Sequence, residues 1–218
     1  MSDIVLYGYL PYAALLACGV GVVRRLQQPR PSARASEPRP LSVGGLILIA
    51  GAGIVALNHL AGLLLREPMR AFLASPARLF TFEAVSLIGG LLLAWGLVQV
   101  IAQKVREASW SLRGLYALLL LQVVGGLAMA VGTRWGALWS LDITVPYLCS
   151  LLTLHPDVTL VAQAPLGVRV HVLLGFVLIA LAPFIQARRA AERVAVPSVP
   201  DASVLVSRRQ ETAPRAEP

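Results

Sequence analysis

The stretch GIVALNHLAGLLL, residues 53–65, is apolar except for two adjacent polar side chains, Asn58 and His59. An imidazole is costly to bury in hydrocarbon unless a hydrogen bond or a ligand bond compensates it. The same contrast recurs in PLGVRVHVLLGFVLIALAPF, residues 165–184, where His171 lies near the start of a long apolar run. These two histidines are therefore the first candidates for a functional site.

The composition of the chain indicates a membrane protein. Of its 218 residues, 57% are hydrophobic and only 14% are charged, whereas soluble domains are near a quarter charged. The net charge of +8 does not indicate nucleic-acid binding, because the basic residues cluster between the apolar segments, as topology signals do. We therefore expect membrane lipid, and no nucleic acid, among the partners.

Five apolar segments are each near the ~20 residues that cross ~30 Å of hydrocarbon. Each segment must satisfy its own backbone hydrogen bonds, so the sequence predicts an all-α membrane protein with a bundle of five transmembrane helices. This domain covers residues 1–189, and residues 190–218 are predicted to form a flexible tail. The predicted helices cover about residues 4–23, 41–65, 82–101, 112–132 and 167–186.

Basic residues predict the orientation of the chain. Five arginines lie in the first connector, and further Lys and Arg residues lie in the third connector and after the last segment. This bias predicts an outer N-terminus and a cytoplasmic C-terminus. In the long fourth connector, residues 133–166, the stretch VPYLCSLLTL (145–154) is predicted to form a short amphipathic helix on the outer surface.

The predicted topology brings two histidines to one depth. His59 lies six residues before the outer end of the second helix, and His171 lies four residues after the outer start of the fifth. At 1.5 Å per residue, both are roughly 6–9 Å below the outer boundary. Two imidazoles at one level suit the two axial faces of a haem. A structural pair hydrogen-bonded across helices, another cofactor and a proton path remain alternatives.

Glycines accompany the candidate site. Pairs at Gly44–Gly45, Gly89–Gly90 and Gly125–Gly126 allow close packing of helices or the approach of a flat cofactor. Gly175 lies four residues after His171 on the same helix face, which predicts room for a porphyrin edge. The chain has no Ser–His–Asp arrangement, glycine-rich phosphate loop or zinc spacing, so we predict no catalytic residue.

Several stretches carry a family resemblance. They are NHLAGLL (58–64), TRWGALWS (133–140), VPYLCSL (145–151) and LLTLHPDVTLVAQAPLGVRVHVLLGFVLIALAPF (151–184). The last combines a Pro-Leu, a histidine six residues after that proline and a closing Pro-Phe. On these residues the chain resembles the gamma subunit of respiratory nitrate reductase, a membrane cytochrome b, over about residues 4–189.

The resemblance implies a function. Quinol is oxidised near the outer face of the cell (inner) membrane, and electrons pass through two b-type haems to an iron–sulfur subunit. A molybdenum catalytic subunit then reduces nitrate, and the gamma subunit anchors both. In the family pattern, the ligands of the outer haem match His59 and His171.

The inner haem of the family has no matching ligands here. Its first histidine lies ten residues before the one matching His59, and that position is Ile49. Its second follows the Pro-Phe motif, and the matching position is near Arg189. Because both ligands are absent together, we predict a single heme b, on the outer side. Without an inner haem, either another subunit carries the electrons across the membrane or the redox partner lies on the outer side. A third possibility is that the chain belongs to a different oxidoreductase complex.

Two arginines complete the predicted site. Arg169 is placed to meet a haem propionate, since a guanidinium pairs well with a carboxylate. Arg78 is the preferred candidate for the quinol site, and Arg70 is the second choice. The alternative role for Arg78 is contact with a lipid headgroup.

The sequence therefore predicts an electron-transfer subunit that passes electrons from quinol through a bis-histidine haem to a nitrate-reductase-like complex and anchors it. One alternative is a membrane anchor or assembly subunit without haem. Another is a haem subunit of a different complex, acting in nitrite or sulfur redox chemistry.

Overall fold

A computed structural model of the protein describes residues 3–28, 42–106, 108–133 and 136–194, with side chains as far as Phe184. A π-helical segment, Ile4–Tyr9, leads directly into the first α-helix. The α-helices that follow are α1 (Leu10–Gln27), α2 (Val43–Leu64), α3 (Arg66–Leu73), α4 (Pro76–Lys104), α5 (Trp110–Gly132), α6 (Gly136–Asp142), α7 (Thr144–Leu152), α8 (Val158–Ala162) and α9 (Leu166–Val194).

Five helices are long and apolar enough to cross a membrane, which confirms the predicted number of spans. They are Ile4–Gln27, Val43–Leu64, Pro76–Lys104, Trp110–Gly132 and Leu166–Phe184. The third is longer than predicted because Pro76 starts it, in a position where proline favours helix initiation, well before its apolar part. α9 continues to Val194. The rest of the predicted tail, residues 195–218, lies outside the described residues.

The spanning helices form an open row. α2 packs against α4, α4 against α5, α5 against α9, and α9 against α1. Asp3 meets Arg169 and Gly21 meets Pro183, so α1 and α9 run parallel, as the first and fifth spans of an alternating bundle should. Within the described residues, α2 makes at most a few contacts with α9 or α1. The row is therefore not closed into a ring.

Glycines bring α2 and α4 into backbone contact. A Cβ atom placed on Gly51 would lie 2.3 Å from the backbone N of Leu93, and one on Gly96 would lie 2.4 Å from the backbone N of Leu48. A Cβ on Gly89 would lie 2.4 Å from Cγ2 of Ile54. Along this interface glycine serves the packing of helices.

The short helices α3, α6, α7 and α8 cover one end of the bundle, called the capped end below. α7 falls in the stretch that was predicted as a surface amphipathic helix, and it is helical. However, Tyr147 on this helix is fully buried and donates a hydrogen bond from its hydroxyl to the backbone O of Tyr7 at 2.7 Å. Burial raises the pKa of Tyr147, so its phenol remains a hydrogen-bond donor. α7 is thus part of the core, because the tyrosine finds an acceptor there.

Candidate functional site

His59 is exposed near the end of α2, with one of its two ring nitrogens engaged. Nδ1 lies 2.7 Å from the backbone O of Val55, one helical turn earlier. A carbonyl accepts, so Nδ1 carries the proton and Nε2 keeps its lone pair. This is the tautomer that metal-bound histidines adopt when a backbone carbonyl orients them.

His171 is partly buried near the start of α9, where Gln122 of α5 contacts it twice. The side-chain nitrogen Nε2 of Gln122 lies 3.2 Å from Nε2 of the ring and 3.2 Å from the backbone O of His171. Nδ1 of His171 is buried and has no hydrogen-bond partner among the residues that the structure describes. Gln122 therefore compensates only part of the cost of burying this imidazole.

The two histidines lie at the same level of the bundle. Each is five residues from the capped end of its helix, where α2 ends at Leu64 and α9 begins at Leu166, or about 7.5 Å along the axis. Because α2 and α9 are not neighbours in the row, the two imidazoles come from helices that are not tightly packed against each other.

The glycine pair on α5 leaves room for an imidazole. A Cβ on Gly126 would lie 3.1 Å from Cε1 of His171, and one on Gly125 would lie 3.9 Å from its Nδ1. This pair therefore differs from Gly51 and Gly89, which accommodate helix packing. The space beside Gly175, predicted for a porphyrin edge, adjoins Gln122, because a Cβ on Gly175 would lie 3.6 Å from the amide nitrogen of that side chain.

Arg169 has a protein partner that the sequence did not predict. Its Nη2 donates to Oδ1 of Asp3 at 2.7 Å, and its guanidinium carbon lies 5.5 Å from the ring centroid of Tyr7. Its Nε is buried and has no hydrogen-bond partner in the described part of the chain. The proposed pairing of Arg169 with a propionate stays a prediction, and Asp3 competes for the same guanidinium.

Arg78 links the start of α4 to α3. Its Nη2 donates to the backbone O of Ala71 at 3.4 Å, and its guanidinium carbon lies 5.2 Å from the ring centroid of Phe72. In the same region, Arg70 forms an ion pair with Asp142 of α6. Arginines thus tie α3 to its surroundings at the capped end.

Single polar residues in apolar helices were the signal that sequence reasoning left unused. Asn58 donates from Nδ2 to Oγ of Ser86 on α4 at 2.6 Å, and Ser86 donates onward to the backbone O of Phe82 at 2.8 Å. Gln122 is the same kind of residue. Each interrupts an apolar run, as the histidines do. Gln122 contacts His171, and Asn58 directly precedes His59 in the chain.

The side chains near the two histidines suit a haem iron better than a bare metal ion. Across the part of the chain that the structure describes, no group of three or more His, Cys, Asp or Glu side chains could hold a bare metal ion. A haem iron is already coordinated by its porphyrin and needs only axial ligands. His59 has Nε2 unengaged, whereas Nε2 of His171 accepts a hydrogen bond from Gln122.

Comparisons with known proteins identify the family of the chain. A family model described as "Nitrate reductase gamma subunit" matches residues 3–187, which include all five spans and both histidines. The chain is also similar to the nitrate reductase gamma chain of Bacillus subtilis (strain 168). The two are 26% identical over 198 residues, which is 84% of this chain and 89% of that protein. The chain therefore belongs to the nitrate reductase gamma subunit family.

Proposed function

We propose that this chain is the membrane electron-transfer subunit of a nitrate-reductase-type complex and holds one b-type haem between His59 and His171. The observation that carries the proposal is the pair of imidazoles at one level of two spanning helices, of which His59 has Nε2 unengaged and His171 has a buried Nδ1 without a partner among the described residues. Membership of the nitrate reductase gamma subunit family supports the assignment to such a complex.

The residues present fit a haem. Val55 fixes the His59 ring so that Nε2 is available, and the unpartnered Nδ1 of His171 is a polar atom that lacks a function in the protein alone. When bound, the iron would carry one electron at a time by changing its oxidation state. The protein would hold the two rings within an apolar part of the membrane.

The predicted orientation makes the capped end the outer side. Quinol would then be oxidised near α3 and the start of α4, and electrons would pass to the iron–sulfur subunit and the molybdenum catalytic subunit. Ile49, at the position of an inner-haem ligand, is an exposed aliphatic residue about 15 Å deeper along α2 than His59. The second position, near Arg189, falls outside the described side chains. One outer haem is therefore proposed, in a protein of the cell (inner) membrane.

The test is the amount of haem b per polypeptide in protein purified in detergent, measured as the pyridine haemochrome. We expect one haem per chain, because only one pair of histidines lies at a common level. Two haems per chain would contradict the single-haem proposal and point to inner ligands other than histidine. Haem-free protein from cells that insert haem into other cytochromes would contradict the electron-transfer proposal itself.

A second candidate function is a membrane anchor or assembly subunit without haem. The contact that favours it is the one between Gln122 and His171, because a hydrogen bond across helices stabilises a buried histidine without metal. A haem subunit of a different complex, acting on nitrite or sulfur compounds, is favoured by Ile49 in place of an inner ligand. The identity of the subunits that co-purify with this chain separates that candidate from nitrate reduction.

Arg169 and Arg78 are expected to have different functions, one at the haem and one at the quinol site. Arg169→Ala should lower the midpoint potential of the haem, with little change in KM for quinol. A guanidinium paired with a propionate cancels a negative charge that stabilises the ferric state, and its loss restores that charge. Arg78→Ala should raise KM for a soluble quinol analogue and leave the haem spectrum and potential unchanged. Each variant is the control for the other. Unchanged haem content and potential in Arg169→Ala would contradict the propionate contact, and an unchanged KM in Arg78→Ala would contradict the quinol site.

A further inference from the structure

Gln122 is an isolated polar side chain in the apolar part of α5. Between residues 117 and 132 it is the only side chain with a hydrogen-bonding amide, carboxyl or hydroxyl group. A buried amide within a membrane span is costly unless it is paired. Its presence there needs a partner, and the partner is His171 on the neighbouring helix α9.

The contact leaves two complementary atoms unpaired. Gln122 donates from its amide nitrogen to Nε2 of His171, so the ring proton must be on Nδ1. Nδ1 is then a buried donor without an acceptor. Oε1 of Gln122 is a buried acceptor without a donor. Both unpaired atoms belong to the same contacting pair of side chains.

We propose that Gln122 is the positioning residue for His171 as a haem ligand, an inference that rests on the proposed function. If the imidazole turns about its Cβ–Cγ bond so that Nδ1–H donates to Oε1 of Gln122, both buried atoms become paired. The same turn releases Nε2 for axial ligation. The amide nitrogen keeps its bond to the backbone O of His171 throughout.

The proposed arrangement gives the two histidines equivalent support. His59 has the backbone O of Val55 at Nδ1, and His171 has no backbone acceptor there. Oε1 of Gln122 supplies the missing acceptor. A hydrogen bond from the ring nitrogen that does not bind the metal fixes the orientation of a ligating histidine. It also makes the other nitrogen a stronger donor to the metal, which favours the ferric state.

The experiment compares haem midpoint potentials in the purified full-length protein. Gln122→Leu removes the acceptor, so we expect a higher potential, with a tenfold change in the ferric-to-ferrous ratio, or about 59 mV for one electron. Gln99→Leu is the matched control, because Gln99 is also a glutamine in a spanning helix but packs at Gly44, on the α2–α4 interface. Gln122→Glu places a stronger acceptor at the same point and should lower the potential.

The outcomes distinguish this inference from the function on which it rests. A wild-type protein with haem, and a Gln122→Leu potential equal to that of Gln99→Leu, would overturn the positioning role alone. A wild-type protein without haem would overturn both. If Gln122→Leu does not accumulate in the membrane, the Gln122→Glu protein decides, and an unchanged potential there overturns the positioning role.

Discussion

Replacing either His59 or His171 by alanine is expected to abolish the b-type absorption spectrum of the purified protein. A bis-histidine haem that loses one axial imidazole keeps a single protein bond to iron. The measurement is the reduced-minus-oxidised spectrum together with haem content per polypeptide, and both variants should fall to the background of the detergent extract.

The controls for this result are built into the chain. His155, the third histidine, is exposed in the connector between α7 and α8, where its Nδ1 lies 2.8 Å from the backbone O of Thr153. His155→Ala should keep the wild-type spectrum. His59→Ala is the cleaner of the two test variants, because His59 is exposed and its ring bonds to the backbone O of Val55 on its own helix. A normal spectrum in both His59→Ala and His171→Ala would reject haem ligation and favour the anchor.

A second large effect is expected at Gly51 on the α2–α4 interface. Gly51→Ala would place a methyl group 2.3 Å from the backbone N of Leu93 and 2.7 Å from its Cα, so the two helices must move apart. Overpacking of this kind usually costs about 1–3 kcal/mol, and a contact with backbone leaves no side chain to move aside. We expect a loss of at least that size in the free energy of unfolding, measured by titration of mild detergent with SDS.

Gly53 supplies the matched control on the same helix. A Cβ on Gly53 would meet no atom within 4 Å, so Gly53→Ala should be neutral or slightly stabilising, since alanine is the better helix former. Equal stability of the Gly51→Ala and Gly53→Ala proteins would contradict the close approach of α2 and α4. A lower haem content in Gly51→Ala alone would also be consistent with displacement of His59, eight residues further along α2.

The sequence predicted the spans but not which spans are neighbours, for physical reasons. Twenty apolar residues have one stable form in hydrocarbon, so length and composition are sufficient to identify a helix. They do not identify which face packs against which helix, because lipid and protein interior are similarly apolar. The order of the row, from α2 through α4, α5 and α9 to α1, therefore required the structure.

The residues of the candidate site also fall into those that the sequence could predict and those that required the structure. His59 and His171 could be predicted because counting residues from a helix end gives depth, and depth is set by the membrane. Gln122 and Asp3 could not, because each meets its partner through the lateral packing of helices. The burial of Tyr147 was missed for a similar reason, since its acceptor, the backbone O of Tyr7, is 140 residues away in the sequence.

The parallel pairing of α1 with α9 has a consequence for biosynthesis. Asp3 and Arg169 are 166 residues apart, so the first helix to leave the ribosome waits for the last before it acquires its main neighbour. α2 and α4, in contrast, can pair as soon as both are inserted. Translation must therefore be nearly complete before His171 joins His59 in the membrane, and a chain that ends before His171 would insert four helices and lack one of the two proposed haem ligands.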